Sequence, residues 1–199
     1  MNIEKEIEKV GKALDLPKKI QTRAIRRLKE ILESEDLMRG FSEKDRKEYT
    51  KKTLAVVIAG ISREYKNPRR ISEILKVMKV KNKKGIKKIS ERLRDFGIRL
   101  SPVSPDQFVP YFCDKLGLSD DTKSTAIEII EKATEAGVTS DRQPATVAAA
   151  AIYIAAILGD EHRTQQEIYK ATGVSDVTLR ARTKELLELS KIENVKREP

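Results

Sequence analysis

Cysteine, histidine and tryptophan are almost missing from this chain: one Cys, one His and no Trp in 199 residues. A single cysteine excludes an intrachain disulfide and a Cys-ligated zinc site, and it fits a reducing compartment. Cys113 and His162 stand 49 positions apart. Nothing in the sequence pairs them, and a nucleophile and its base must converge within hydrogen-bond reach. Cys113 reads instead as a small buried residue on the helix that carries Phe108 and Phe112. The longest apolar run, Val147 to Leu158, has 12 residues, too few to cross a bilayer. The first ten residues are charged and helical in pattern, so no secretory signal is expected. No G-x-G-x-x-G, P-loop, H-E-x-x-H or EF-hand pattern occurs, and the many carboxylates do not cluster as an acid–base pair. No catalytic residue, cofactor, metal or membrane is therefore expected.

What the chain has in abundance is charge, unevenly placed. Charged residues make up 36% and apolar residues 39%, so a core is still expected, in one large domain or two small ones. Residues 1–100 carry 29 Lys and Arg against 15 Asp and Glu, a net of +14. Residues 101–199 carry 12 against 16, a net of −4. A basic half joined to a mildly acidic half suggests two modules with different surfaces. The basic half favours a polyanion through attraction and counterion release.

The halves also resemble each other. Lys12–Glu30 aligns with Asp114–Lys132 at an offset of 102, so that Leu14, Leu16, Ala24, Ile25 and Leu28 meet Leu116, Leu118, Ala126, Ile127 and Ile130. Arg70–Val80 aligns with Thr164–Val174 at an offset of 94, the first copy being longer near Phe41–Lys52. The closing stripe Ile86, Leu93 and Phe96 matches Leu179, Leu186 and Leu189 at an offset of 93. Such self-similarity points to tandem architecture. No segment alternates like a half-buried strand, so the fold class is all-α, with five helices in each copy. In the first they are Ile3–Leu14, Pro17–Glu33, Lys44–Tyr65, Arg70–Met78 and Lys83–Phe96. In the second they are Pro105–Leu116, Asp120–Ala136, Pro144–Leu158, Thr164–Thr172 and Ser175–Ser190. Pro17, Pro105 and Pro144 suit helix starts, and Gly137 and Gly159 follow helix ends. The third helix of the second copy is apolar nearly all round, as a helix surrounded by neighbours must be, and Thr53–Ile61 does the same in the first. The expected division is residues 1–98, a linker over 99–104 and residues 105–199, with the connecting stretch Gly97–Ser104 stiffened by Pro102.

The segment Arg163–Leu187 reads as a helix-turn-helix. Thr164 with Glu167 makes a capping-box pattern, Gly173 ends the first helix, and Ser175 caps the second. At 100° per residue Leu179, Thr183, Leu186 and Ser190 share one side. Val177, Ala181 and Lys184 fall opposite, with Thr178 and Arg180 on the flanks. In a DNA-reading motif of this kind the first turns of the second helix meet base edges in the major groove. An outward Val177 would then touch a thymine methyl and Arg180 a guanine. Two ordinary packed helices, with Val177 under the turn and Arg180 solvated, fit the same spacing.

In LGLSDDTKSTAIEIIEKA, QPATVAAAAIYIAA and EHRTQQEIYKATGVSDVTLRARTKEL the second half resembles the core of archaeal transcription initiation factor B, the counterpart of eukaryotic transcription factor IIB. In the first half EDLMRGFS, PRRISEILKVMKV and RLRDFGIRLSP are the recognisable pieces; the residues near Phe41–Lys52 and the lysines of KNKKGIKK depart from the pattern. The resemblance implies two cyclin-like five-helix repeats, the second ending in a helix-turn-helix, in a non-enzymatic protein that binds promoter DNA with TATA-box-binding protein. It implies Val177 and Arg180 as readers of a purine-rich element upstream of the TATA box. Thr164, Gln165, Ser175, Thr178, Arg182 and Lys184 would flank them on the DNA backbone. Arg39, Lys83, Lys84, Lys87 and Lys88 would be contacts of the first repeat with DNA or partner. It also implies a protein located on DNA, in the cytoplasm of an archaeal-type cell or the nucleus of a eukaryote. A Cys-ligated zinc ribbon cannot form from one cysteine, so RNA polymerase recruitment by that route is not expected of this chain, whether it is a trimmed core or a natural short form. Cyclin-like repeats also occur in scaffolds that regulate a partner enzyme, and a stand-alone DNA-binding repressor is a third possibility.

Overall fold

The computed structural model describes residues 2–33 and 42–190, and the described residues are helical with no strand. They fall into two compact units, Met1–Pro102 and Val103–Pro199. The first contains α1 (Ile3–Ala13), α2 (Lys18–Leu32), α3 (Glu43–Glu64), α4 (Ile71–Val77) and α5 (Ile86–Arg92). The second opens with a 3₁₀ turn, Pro105–Phe108, and continues through α6 (Val109–Leu116), α7 (Asp120–Glu135), α8 (Pro144–Leu158), α9 (Gln165–Thr172) and α10 (Asp176–Ser190).

Each unit is built around its third helix. Within α3 the residues Lys52–Ser62 are all buried, and the helix touches α2, α4 and α5. In α8 the run Ala145–Ile152 is buried, and its neighbours are α6, α7, α9, α10 and the 3₁₀ turn. Alanine keeps the helix radius small, so surrounding helices approach closely, and it loses no side-chain entropy on burial. Pro144 occupies the first turn, where a missing N–H breaks no bond. Gly159 ends the helix with φ −87, and space explains it: a Cβ there would meet Thr122 Oγ1 at 3.0 Å. The two cores hold separate sets of side chains, with Leu28, Leu54, Ile58 and Leu93 in one and Phe112, Ile130, Ile152 and Leu186 in the other. Phe108 stacks on Phe112 at 5.5 Å between centroids, and Cys113 is buried beside them. Ile98 and Leu100 pack on the first core and Val103 on the second.

The fifth helix is shorter than expected. The sequence predicts Lys83–Phe96, but α5 begins at Ile86, because Gly85 takes a left-handed φ of 84 and cannot continue a helix backwards. Asn82 Oδ1 accepts from the Lys84 amide at 2.9 Å, which stabilises a turn in place of the first helical turn. At the other end the chain leaves the helix at Leu93, and Gly97 closes the turn with φ 73.

An arginine fork recurs in both units. Arg69, 2% exposed, donates through Nε to the Leu14 oxygen at 2.8 Å and through Nη2 to the Asp15 oxygen at 2.9 Å. Arg163 donates through Nε to Leu116 O at 2.9 Å and through Nη2 to Gly117 O at 3.0 Å. Each guanidinium thus satisfies orphan carbonyls where a helix ends, α1 or α6, and ties that end to the entrance of the unit's fourth helix. Arg69 and Arg163 differ by 94 positions, and their acceptors by 102, which are the two offsets of the sequence alignment.

Candidate nucleic-acid interface

The stretch from Thr164 to Ser190 is assembled from strong local signals. Thr164 Oγ1 accepts from the Glu167 amide at 3.2 Å, and Glu167 Oε2 accepts from the Thr164 amide at 2.8 Å, the reciprocal capping box. The Thr164 hydroxyl, then its backbone N–H, hold the Glu167 carboxyl below its ordinary 4.5. Gly173 takes φ 69 and donates to Tyr169 O at 2.7 Å, so α9 closes on a left-handed residue. Val174 is 2% exposed and pins the turn to the core. Ser175 Oγ accepts from the Thr178 amide at 3.4 Å, and Ser175 O from the Leu179 amide at 2.8 Å, which starts α10. Ile168 and Ala171 of α9 and Leu179 and Leu186 of α10 are buried in one core.

With that side inward, the other side is presented to solvent. Val177 is 81% exposed, the most exposed of the large hydrophobic residues among the described residues. It does not pack under the turn. Arg180, one turn further on, is exposed and donates through Nε to Gln165 Oε1 at 2.8 Å. Gln165 and Thr178 are half-buried, while Thr164, Ser175 and Lys184 are exposed. Lys184 Nζ lies 3.6 Å from a Glu188 carboxylate oxygen. The structure thus brings Gln165 to Arg180, and Ser175 to Thr178 at the start of α10.

Arg182 does not join them. Its side chain is 18% exposed and ion-paired with Glu185, whose other oxygen accepts from Arg142 Nη2 at 2.8 Å. Burial, then the neighbouring Arg142 charge, push the Arg182 guanidinium below its ordinary value. At 100° per residue Arg182 lies 60° from Leu179 on the helix wheel, so it is turned toward the packed side. It tethers α10 to the segment before α8.

In the first unit Lys83, Lys84, Lys87 and Lys88 are all exposed, and none forms an ion pair among the described residues. Beneath them Lys52, 7% exposed, donates to Lys84 O at 3.1 Å and pairs with Glu48 at 2.7 Å. That buried lysine props the turn that carries Lys83 and Lys84. A cleft of about 430 Å³ follows it, with Glu48, Lys52, Lys84, Lys88 and Arg92 in its wall. Arg39 lies outside the described residues.

Sequence reasoning gave no role to Arg163, Lys52 or Glu161. Glu161 accepts from the Ser119 amide at 2.9 Å and from Thr122 Oγ1 at 2.8 Å, locking the start of α7. The Arg163 signal was available, because Arg69 and Arg163 directly precede the aligned segments. Lys52 and Glu161 act through partners tens of residues away, which a single sequence does not display. Cys113 and His162 are not a pair: the cysteine is buried, and the exposed His162 Nε2 lies 3.2 Å from Asp160. Among the described residues no three His, Cys, Asp or Glu side chains are grouped to hold a metal, and no helix is long and apolar enough to cross a membrane.

Comparison with known proteins places this architecture. Residues 98–189 match the family described as Transcription factor TFIIB repeat. The chain is 38% identical over 188 residues to Transcription initiation factor IIB of Archaeoglobus fulgidus, covering 94% of this chain and 55% of that protein. It is 38% identical to the protein of that name from Sulfurisphaera tokodaii, covering 94% and 58%, and 37% identical to that of Methanosphaerula palustris, covering 94% and 54%. The chain spans about half the length of these relatives, all of them named as initiation factors rather than enzymes. Over that span, which takes in nearly all of its own residues, the chain is similar to archaeal transcription initiation factor IIB, and its second half matches the TFIIB repeat.

Proposed function

We propose that this chain acts in transcription initiation as a promoter-binding core, engaging DNA together with TATA-box-binding protein. In this reading α9 and α10 are a helix-turn-helix, α10 enters the major groove, and Val177 and Arg180 meet base edges of an element upstream of the TATA box. Thr164, Ser175, Thr178 and Lys184 then face the flanking phosphates, while Gln165 is engaged with Arg180. The observation that carries it is Val177: an 81% exposed valine at the start of a helix whose opposite side is buried, beside an exposed arginine. An apolar side chain left in water at that place has no folding role to explain it.

The two units are proposed as tandem cyclin-like repeats, supported by the recurring arginine fork and by the buried third helix in each. The first repeat is proposed to bring Lys83, Lys84, Lys87 and Lys88, with Arg39, to DNA or to the partner protein. Gel shifts on TATA-containing duplexes, with and without TATA-box-binding protein, test the reading. A complex formed cooperatively with the helper protein is expected. Specific binding without it indicates a stand-alone repressor, and partner binding with no DNA shift under any condition indicates a scaffold; either result ends the proposal.

A further inference from the structure

We infer that Gln165 is a positioning residue, which aims the Arg180 guanidinium before DNA arrives. The inference rests on the proposal that α10 reads bases, and it adds a specificity-setting group on α9.

Arg180 is exposed, and an exposed arginine samples many rotamers, all but one of which must be given up on binding a base. Here Nε donates to Gln165 Oε1 at 2.8 Å, across 15 residues of chain and from one helix to the next. Arginine has only donors, so the amide oxygen of Gln165 must be the atom turned toward it. Gln165 is the first residue of α9 and follows Thr164, whose reciprocal bonds with Glu167 fix the backbone there. Its side chain is half-buried, so the acceptor is presented from a restrained place. With Nε occupied, Nη1 and Nη2 make no hydrogen bond among the described residues. Those two nitrogens form the end-on fork that matches the O6 and N7 acceptors of one guanine. The Gln165 bond therefore selects which edge of Arg180 meets the base and removes rotamers in the free protein. Preorganisation of this kind improves discrimination without adding a contact to the DNA.

The test compares binding to a duplex carrying a guanine-containing purine element upstream of a TATA box with binding to its scrambled counterpart, TATA-box-binding protein present. The proteins are the wild-type chain, Gln165→Leu, Gln165→Glu, Arg180→Ala and the Gln165→Leu/Arg180→Ala double variant. Gln165→Leu keeps the bulk and removes the acceptor. It is expected to lower the matched-to-scrambled ratio about two- to tenfold, the range for ordering one long side chain at the moment of binding, and to leave scrambled-duplex affinity unchanged. Gln165→Glu keeps an acceptor and should retain most of the ratio, although its charge weakens both duplexes. The double variant should match Arg180→Ala. Substituting 7-deazaguanine, which lacks the N7 acceptor, should cost the wild-type chain more than Gln165→Leu. In the free protein the Arg180 Nε–H resonance should be protected from exchange and lose that protection in Gln165→Leu. An equal loss on both duplexes makes Gln165 a phosphate contact and overturns the inference, as does an effect that adds to that of Arg180→Ala. If Arg180→Ala lowers the ratio while Gln165→Leu is silent, only the positioning role fails. If Arg180→Ala is silent too, the base-reading proposal fails with it.

Discussion

Replacing Arg69 with alanine removes a guanidinium that is 2% exposed and donates to the main-chain oxygens of Leu14, Asp15 and Pro68. Bonds from a charged group are each worth about 1.5–3 kcal/mol, and an orphaned buried carbonyl costs about 1–3 kcal/mol. Release of the charge from burial returns part of this, so a net loss of about 3–5 kcal/mol is expected. Arg163 holds the corresponding place with the same fork, but its Nη2–Gly117 bond is exposed to water. Solvent screens it and can replace it, so Arg163→Ala should cost about 1–2 kcal/mol. Lysine rescues neither, because one ammonium cannot reproduce the fork across two carbonyls. Urea unfolding followed by far-ultraviolet circular dichroism measures all four variants against the wild-type chain. The reasoning fails if Arg163→Ala costs as much as Arg69→Ala, or if Arg69→Lys is as stable as the parent.

Three further outcomes are expected. DNA affinity should fall steeply with salt: if the basic unit neutralises about five phosphates, log affinity against log salt has a slope near −4 to −5. Charge reversal at both Lys84 and Lys88 should flatten it by about 2 without altering sequence preference; an unchanged slope removes these lysines from the interface. Burial pushes the Cys113 thiol up to about 12, so a thiol reagent at pH 8 should react with it only as the protein unfolds. Fast labelling of the native chain would contradict the burial. Hydrogen bonds from the Ser119 hydroxyl, the Ser119 backbone and the Thr122 hydroxyl hold the Glu161 carboxyl below its ordinary 4.5. A depressed folded-state value means the stabilisation is present above pH 4.5 and lost as pH falls through the lowered value. Glu161→Gln should therefore melt below the parent at pH 7, with the gap closing in more acidic solution; a gap that widens with acid would reverse the assignment.

Helix positions were legible in the sequence wherever a periodic stripe met a capping signal. Thr164 with Glu167, Gly173 before Ser175, and Pro144 ahead of the alanines all stand where their chemistry predicts. The shortened α5 was not, because the KNKK lysines look helix-compatible and the left-handed turn at Gly85 is decided by one residue and the Asn82 cap. At the candidate interface helical spacing set Val177 opposite the apolar stripe, but its 81% exposure, not the spacing, removes the alternative of packing under the turn. The inward turn of Arg182 was not legible, since it depends on Glu185 and Arg142, and Arg142 lies 40 positions earlier in the chain. Long-range polar pairings of this sort, like Lys52 with Lys84 O, leave no periodic trace. The arginine fork is the exception, because Arg69 and Arg163 hold matching places in the two aligned stretches of the sequence.

The central claim is that the exposed side of α10 reads bases, and Arg180→Ala tests it most directly. The measurement is complex formation on matched and scrambled upstream elements with TATA-box-binding protein present. A lost bidentate guanine contact is worth about 1–3 kcal/mol of discrimination, so preference for the matched element should fall about tenfold or somewhat more, with little change in helical content or melting. Equal weakening on both duplexes would make Arg180 a phosphate contact, and no weakening on either would contradict the DNA-reading assignment of this helix.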